Sequence, residues 1–427
     1  MAEIKPFGAL RFTEKAGEIS ELCCPPYDII SEGQRLDYIA KNEHNIIRLE
    51  LPKGDDPYKE AANVLVDWEE NGIIACDEQE GVYVYEEKFS VEGVNYSFKG
   101  IVCRVKIEEF SKGVVLPHEE TLSKAKQDRF NLFKATRCNF SQIYSLYKDE
   151  KGETAELINR LSSGTPDQSF TDSDGVTHSL WAIYDEEALA TLTAQFADRK
   201  LYIADGHHRY ETSLNMRNHL RETENAEIGA ASDYCMMTLV DLDDDGLVVF
   251  PTHRIVRDLD SFNSDEVIAN CADYFDITLL ANEGEIKPFL DMKYADGKKA
   301  VVMYSGNKIA LMTLKSMQPL CEMYPNASEA LRGLDVTVLH SLILERIMKI
   351  DKENMANQIN LTYTRDQAEA IEWVNTNKAN CCFIMNPTRV SEISAVATAG
   401  EKMPQKSTYF YPKLITGLVM NKFGEMK

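Results

Sequence analysis

Five consecutive residues, Asp205-Gly206-His207-His208-Arg209, concentrate more reactive chemistry than any other stretch of the chain. The run before them, Leu201 to Ala204, has the length and apolarity of a short buried strand. Tyr210, Leu214 and Arg217 to Leu220 continue at helical spacing. The five residues therefore occupy a strand–turn–helix junction. A helix start presents N–H groups and the positive end of the dipole, which favours anions. Arg209 adds a planar fork of donors suited to phosphate or carboxylate, and the histidines can exchange protons near neutral pH. The spacing predicts that Asp205 caps the helix.

A second constellation follows an apolar run, as Pro117-His118-Glu119-Glu120-Thr121. Imidazole beside carboxylates can bind a hard or borderline metal ion or supply a general base. The helix after it carries Lys124, Lys126, Asp128, Arg129 and Asn131, a charged face that reads as ion-paired surface or as a second basic wall. Pro251-Thr252-His253-Arg254 repeats the strand-then-His-Arg theme. Lys406-Ser407-Thr408 has the ending of a phosphate loop without its glycines, leaving packing and phosphate binding as equal readings. Cys23-Cys24-Pro25-Pro26-Tyr27-Asp28 reads as rigid extended chain, with Asp28 a minor ligand candidate.

The elements that must position these residues are mixed α/β. Helices are expected at Ser31–Lys41, from Asp56-Pro57 to Asn71-Gly72, and at Asp185–Phe196. Hairpins are expected around Glu92-Gly93, Asp243 to Gly246 and Gly306-Asn307. Asn45 to Leu51 alternates like a strand, Ser162 to Gly175 has the composition of a linker or loop tip, and Asp335 to Ile350 has a helical period. A β-α-β-α run closes the pattern from Ile359 to Ala399. Composition shifts suggest three regions: 1–113, an α/β region; 114–260, with the two histidine loops; and 261–427, again α/β.

With 427 residues the chain can bury a sizeable core. Its 46 Lys and Arg against 69 Asp and Glu give a net charge of −23, a poor balance for binding nucleic acid. Any anionic substrate then needs a local basic pocket. The ten cysteines lack zinc spacing and read as reduced thiols. With no leader-like start and no apolar run long enough to span a bilayer, the expectation is a cytoplasmic protein with no membrane partner. Oligomeric state is not legible.

Several stretches together resemble the signatures of the family called domain of unknown function 1015. They are Cys24 to Ile30, His118 to Thr121, Tyr202 to Thr212, Phe250 to Arg254 and Met403 to Lys413, in order along nearly the whole chain. The Asp-Gly-His-x-Arg loop is also similar to the phosphate-binding box of ParB/sulfiredoxin-like proteins, through Asp205, Gly206, His207 and Arg209. In the free serine kinases of that superfamily such a loop holds nucleotide phosphates beside a catalytic carboxylate and the amino-acid substrate. The resemblance implies a ParB/sulfiredoxin-like phosphate-binding core and a small-molecule kinase, with free L-serine as first acceptor and ATP, ADP or pyrophosphate as donor.

On that reading Gly206, His207 and Arg209 hold phosphate, with His253, Arg254, Lys406 and Ser407 as further contacts. Asp205, His207, His208 and Glu119 handle protons, and His118, Glu119 and Asp205 are candidate ligands for Mg²⁺. Glu119 is chosen on chemistry alone. Two rivals stand: a metal-dependent hydrolase built on His118, Glu119, His207, His208 and His253, and a nucleotide-binding module without turnover.

Overall fold

The computed structural model describes residues 1–119 and 123–423. It divides into two compact units. The first comprises residues 1–117, 121–248 and 412–427, and the second residues 118–120 and 249–411. Glu120 and Thr121 of the His-Glu-Glu stretch lie outside the described residues.

The first unit is built on a nine-stranded mixed sheet. Its path runs Val115–Leu116, Leu201–Asp205, Ile143–Tyr147, Tyr234–Asp241, Val94–Lys106, Val82–Val91, Thr177–Ile183 and Gln168–Thr171, with Ile4–Lys5 added beside Val94–Lys106. Leu201–Asp205 runs parallel to Val115–Leu116 and antiparallel to Ile143–Tyr147. Its apolar residues Leu201 and Ile203 are fully buried in the sheet core with Val115, Ile143 and Tyr210. A second core gathers helix Pro57–Glu70 and the segment around Ile46, through Leu65, Trp68, Ile46, Ile47 and Leu49. The predicted capping box at Ser31 and cap at Asp56 hold, Asp185 caps the expected helix Glu186–Phe196, and the Glu92-Gly93 hairpin pairs Val91 with Val94.

The second unit carries a six-stranded sheet whose neighbours are all antiparallel: Phe275–Leu279, Ile309–Leu314, Ala300–Tyr304, Cys381–Ile384, His253–Val256 and Leu361–Thr364. Its core includes Ile255, Val302, Leu311, Ile371 and Cys382. All ten cysteines are free thiols, and no described helix is long and apolar enough to cross a membrane.

Three local expectations are corrected and a fourth is refined. Asn45 to Leu51 is no strand: Ile47–Glu50 forms one helical turn, started by the Asn45 carboxamide oxygen accepting from the Ile47 N–H at 3.0 Å. The stretch Ser162 to Gly175 contains strand Gln168–Thr171, hydrogen-bonded to Thr177–Ile183 at the sheet edge. Leu247 to Phe250 does not return along Tyr234–Asp241, because Val248–Val249 leaves the large sheet. The Asp335 helix becomes a π-helix over Leu339–Ile347, with Met348 N–H bonded to Ile343 C=O at 2.8 Å.

One buried histidine in the first unit, flanked by two carboxylates, has a measurable pH signature. His178 is buried with Nε2 at 3.1 Å from Asp172 and Nδ1 at 3.3 Å from Glu87. Burial pulls its pKa down, but Asp172 and Glu87 outweigh it and push the imidazole up to about 9. The folded value lies above the ordinary one near 6.5, so the stabilisation is complete below about pH 6.5 and fades as pH rises through about 9. Melting temperature should fall over that interval, and His178→Gln should flatten the slope. A wild-type profile level from about pH 6 to 10 contradicts a charged His178.

Candidate functional site

The strand–turn–helix reading of the histidine loop holds. Strand Leu201–Asp205 shifts register between Ile203 and Asp205, and helix His207–Glu224 begins after one residue. That residue, Gly206, sits at φ 94°, a left-handed conformation glycine adopts without strain. A side chain there would start 3.0 Å from Arg209 Nε. Gly206 occupies the cap position and no side chain caps the helix, which corrects the capping role read for Asp205. The first helical bond runs from Tyr210 N–H to Gly206 C=O at 3.0 Å. The N–H groups of His207, His208 and Arg209 thus start outside the helix ladder, as at any helix start.

Asp205 instead organises cations. Its Oδ2 accepts from the Arg209 guanidinium at 2.6 Å and its Oδ1 from Lys413 Nζ at 2.5 Å. Burial would raise its pKa, yet Lys413 and Arg209 overcome this and hold the carboxyl well below the usual range. Arg209 also donates to the Gln142 carbonyl. The helix itself is fixed by fully buried Tyr210, whose hydroxyl donates to Glu108 C=O at 2.7 Å, and by a 2.7 Å Lys126–Glu211 ion pair.

Glu50 and Ser141, which sequence reasoning passed over, complete this part of the first unit. A cavity of about 40 Å³ is lined by Glu50, Arg129, Ser141, Arg209, Thr212 and Ser213, among others. Glu50 is buried and accepts from Ser141 Oγ at 3.0 Å. Burial raises its pKa, opposed by Arg129 and Arg209. Arg129 donates to the Glu50 carbonyl at 2.7 Å, pairs with Asp128 at 2.6 Å, and stacks on the Tyr27 ring at 4.0 Å. Tyr27 of the Cys-Pro-Pro-Tyr segment thus holds an arginine in place. Thr212 Oγ1 is buried with no protein partner among the described residues. The available signal was a carboxylate inside the apolar run Ile46 to Leu51.

The other candidates assemble in the second unit. Buried His118 places Nε2 at 3.0 Å from Thr408 Oγ1, and its carbonyl accepts from Met403 N–H at 2.7 Å. Glu119 Oε1 accepts from Lys406 N–H at 2.6 Å. Ser407 is buried and its hydroxyl donates to Pro404 C=O at 2.5 Å. Arg254 is fully buried and donates to Thr252 C=O, to Lys406 C=O at 3.1 Å and to His340 Nε2 at 3.2 Å. Burial lowers its pKa to about 10. Burial, aided by Arg254, lowers His253 to about 4, so this imidazole is neutral at physiological pH.

The structure therefore joins His118, Glu119, Arg254, Lys406 and Ser407 in one network. The loop from Asp205 to Arg209 belongs to the other unit. Among the described residues no group of three or more His, Cys, Asp or Glu is disposed to hold a metal ion. The three residues read as metal ligands have other partners: Thr408 for His118, Lys406 for Glu119, and two cations for Asp205. A helix start, Arg209 and Lys413 form a donor set suited to phosphate.

The profile of a family described as "Protein of unknown function (DUF1015)" matches residues 4–337. The chain belongs to this family. A comparison with curated proteins finds no match. Similar solved structures include a conserved hypothetical protein from Pyrococcus furiosus, at 12% identity and TM-score 0.36, over 76% of this chain and 95% of that one. A free serine kinase mutant in complex with ADP is similar at 11% identity and TM-score 0.38, over 76% and 91%. C-terminally truncated SbnI from Staphylococcus aureus is similar at 10% identity and TM-score 0.37, over 74% and 86%.

Proposed function

We propose that this member of the family is a small-molecule phosphotransferase. It takes phosphate from ATP, ADP or pyrophosphate to a hydroxylated metabolite, and free L-serine is the first acceptor to test. The observation that carries the reading is the clamp of Asp205 on Arg209 and Lys413 at a helix start. The resemblance of Asp205, Gly206, His207 and Arg209 to the ParB/sulfiredoxin-like box supports it.

In this reading the helix start, Arg209 and Lys413 bind the donor phosphates, with Asp205 as the positioning residue for both cations. His207 and His208 donate to phosphate oxygens or pass a proton. The acceptor oxygen bonds to the terminal phosphorus, the bond to the donor breaks, and the hydroxyl proton passes to a carboxylate. Glu50, whose basicity burial enhances, is a buried carboxylate that lines the same cavity as Arg209 and is our choice of base; Glu119 remains the alternative base. Mg²⁺ entering with the nucleotide would supply charge neutralisation on the transferred group.

The test incubates purified protein and Mg²⁺ with each donor against L-serine, L-threonine and glycerol, and detects product by ³¹P NMR. Phosphoserine is the expected product. Absence of any phosphorylated acceptor overturns the reading. Nucleotide-induced thermal stabilisation without product would then mark a binding module, and a stoichiometric transition metal with substrate hydrolysis would mark a hydrolase.

A further inference from the structure

The second unit contains a cavity of about 190 Å³, the share of liquid occupied by roughly six waters. That is below the usual range for drug-sized ligands and suits a small metabolite. Among the described residues Arg332, Lys352 and Lys402 line it against a single acid, Glu345. Such a local excess of cations stands out in a chain of net charge −23.

The lining is also rich in donors. Thr337 is buried, and its Oγ1 has no protein partner among the described residues. His340 accepts from Arg254 at Nε2, so its proton sits on Nδ1 and makes that atom a donor. Burial and Arg254 hold this imidazole well below its ordinary pKa, and thus neutral. Behind His340 the hydrogen-bond partners of buried Arg254 among the described residues are neutral: two carbonyls, an imidazole and the Met385 sulfur. Among the described residues no carboxylate touches this guanidinium, and Glu119 acts on it only electrostatically from outside hydrogen-bond contact, so an anion in the cavity would add to its neutralisation. The π-helix Leu339–Ile347 brings His340, Ser341 and Glu345 to the cavity wall. This geometry is rare and recurs at functional sites. Leu331, Met355 and Met403 supply an apolar side for a carbon skeleton.

We propose that this cavity binds a small organic dianion, a phosphate monoester or a dicarboxylate, at Arg332, Lys352, Thr337 and His340. The site is separate from the histidine loop and does not rest on the phosphotransferase reading. The test uses the full chain and its Arg209→Ala variant in thermal-shift and calorimetric titrations with glycerol 3-phosphate, succinate, inorganic phosphate and glycerol. Glycerol 3-phosphate or succinate should stabilise both proteins, and neutral glycerol neither.

Arg332→Gln/Lys352→Gln should weaken that binding at least about tenfold. Lys352→Gln alone, at an exposed position, keeps the test valid if the double variant misfolds, and should weaken it measurably. Response to the ester and not to succinate or phosphate assigns a phosphate monoester, and response to succinate alone a dicarboxylate. Overturning results are no stabilisation by the ester or succinate at about 10 mM, stabilisation by inorganic phosphate alone, or binding unchanged in Lys352→Gln.

Discussion

Arg209→Ala should lower phosphotransfer by about 10²–10³-fold, the usual cost of removing one preorganised donor from a developing charge. It should also remove most nucleotide-induced stabilisation, which for an intact site reaches about 2.7 kcal/mol at a hundredfold excess over Kd. The protein should remain folded. Arg209 gives up its bonds to Asp205 and the Gln142 carbonyl, a loss of about 1–3 kcal/mol, while Lys413 still pairs with Asp205. Arg209→Lys should rescue little, because a point charge cannot span the carbonyl, the carboxylate and a phosphate as the planar fork does.

The acid side gives an independent readout of the same clamp. The Asp205 pKa is depressed, so its contribution to stability is present above the unfolded value near 3.9 and is lost as pH falls through the folded value. Removing Arg209 raises that folded value, and acid unfolding should begin at higher pH. An Arg209→Ala enzyme with full turnover would remove the loop from the phosphate site.

The strand and helix around this loop were legible because their periods agree with their environment. Leu201 and Ile203 are buried, and Tyr210, Met216 and Leu220 fall on the packed side of the helix. What the loop touches was not legible. Lys413 lies 208 residues beyond Asp205, and nothing local marks the pair. The capping expectation failed because a left-handed glycine took the cap position, freeing the aspartate for cations.

Asn45 to Leu51 misled for a different reason. Its polar members Asn45 and Glu50 are as buried as Ile46, Ile47 and Leu49, so the alternation carried no information about an exposed face. Asp335 to Ile350 shows the limit of periodicity in helices: the apolar pattern is real, but buried residues run from Leu339 through Leu344 without an exposed break, the polar His340 and Ser341 included, over a π-helical stretch. His118 and Glu119 pack with the unit formed by residues 249–411, an association that composition shifts along a chain cannot register.

Glu50→Gln should separate binding from chemistry. The change keeps the volume and removes the charge. If Glu50 takes the acceptor proton, turnover should fall by about 10²–10⁴-fold while nucleotide still raises the melting temperature. Its pH signature has the opposite sign to that of Asp205. The folded pKa of Glu50 is raised, so the folded state is favoured below the unfolded value near 4.3 and loses that advantage as pH rises through the folded value. Glu50→Gln should flatten this part of the stability profile.

Glu50→Ala is a harsher change: both variants take the carboxylate from buried Arg129 and leave it the half-exposed Asp128, but alanine also loses the acceptor for Ser141 and opens a void. Losing one partner of a buried ion pair costs about 3–5 kcal/mol, so this variant should lose stability as well as turnover. The glutamine variant alone therefore tests the proton-acceptor role. Glu119→Gln is its counterpart in the other unit. Full turnover in Glu50→Gln with loss in Glu119→Gln would move the base to Glu119. Loss in Glu50→Gln, with nucleotide binding intact and Glu119→Gln active, would fix the chemistry beside Arg209.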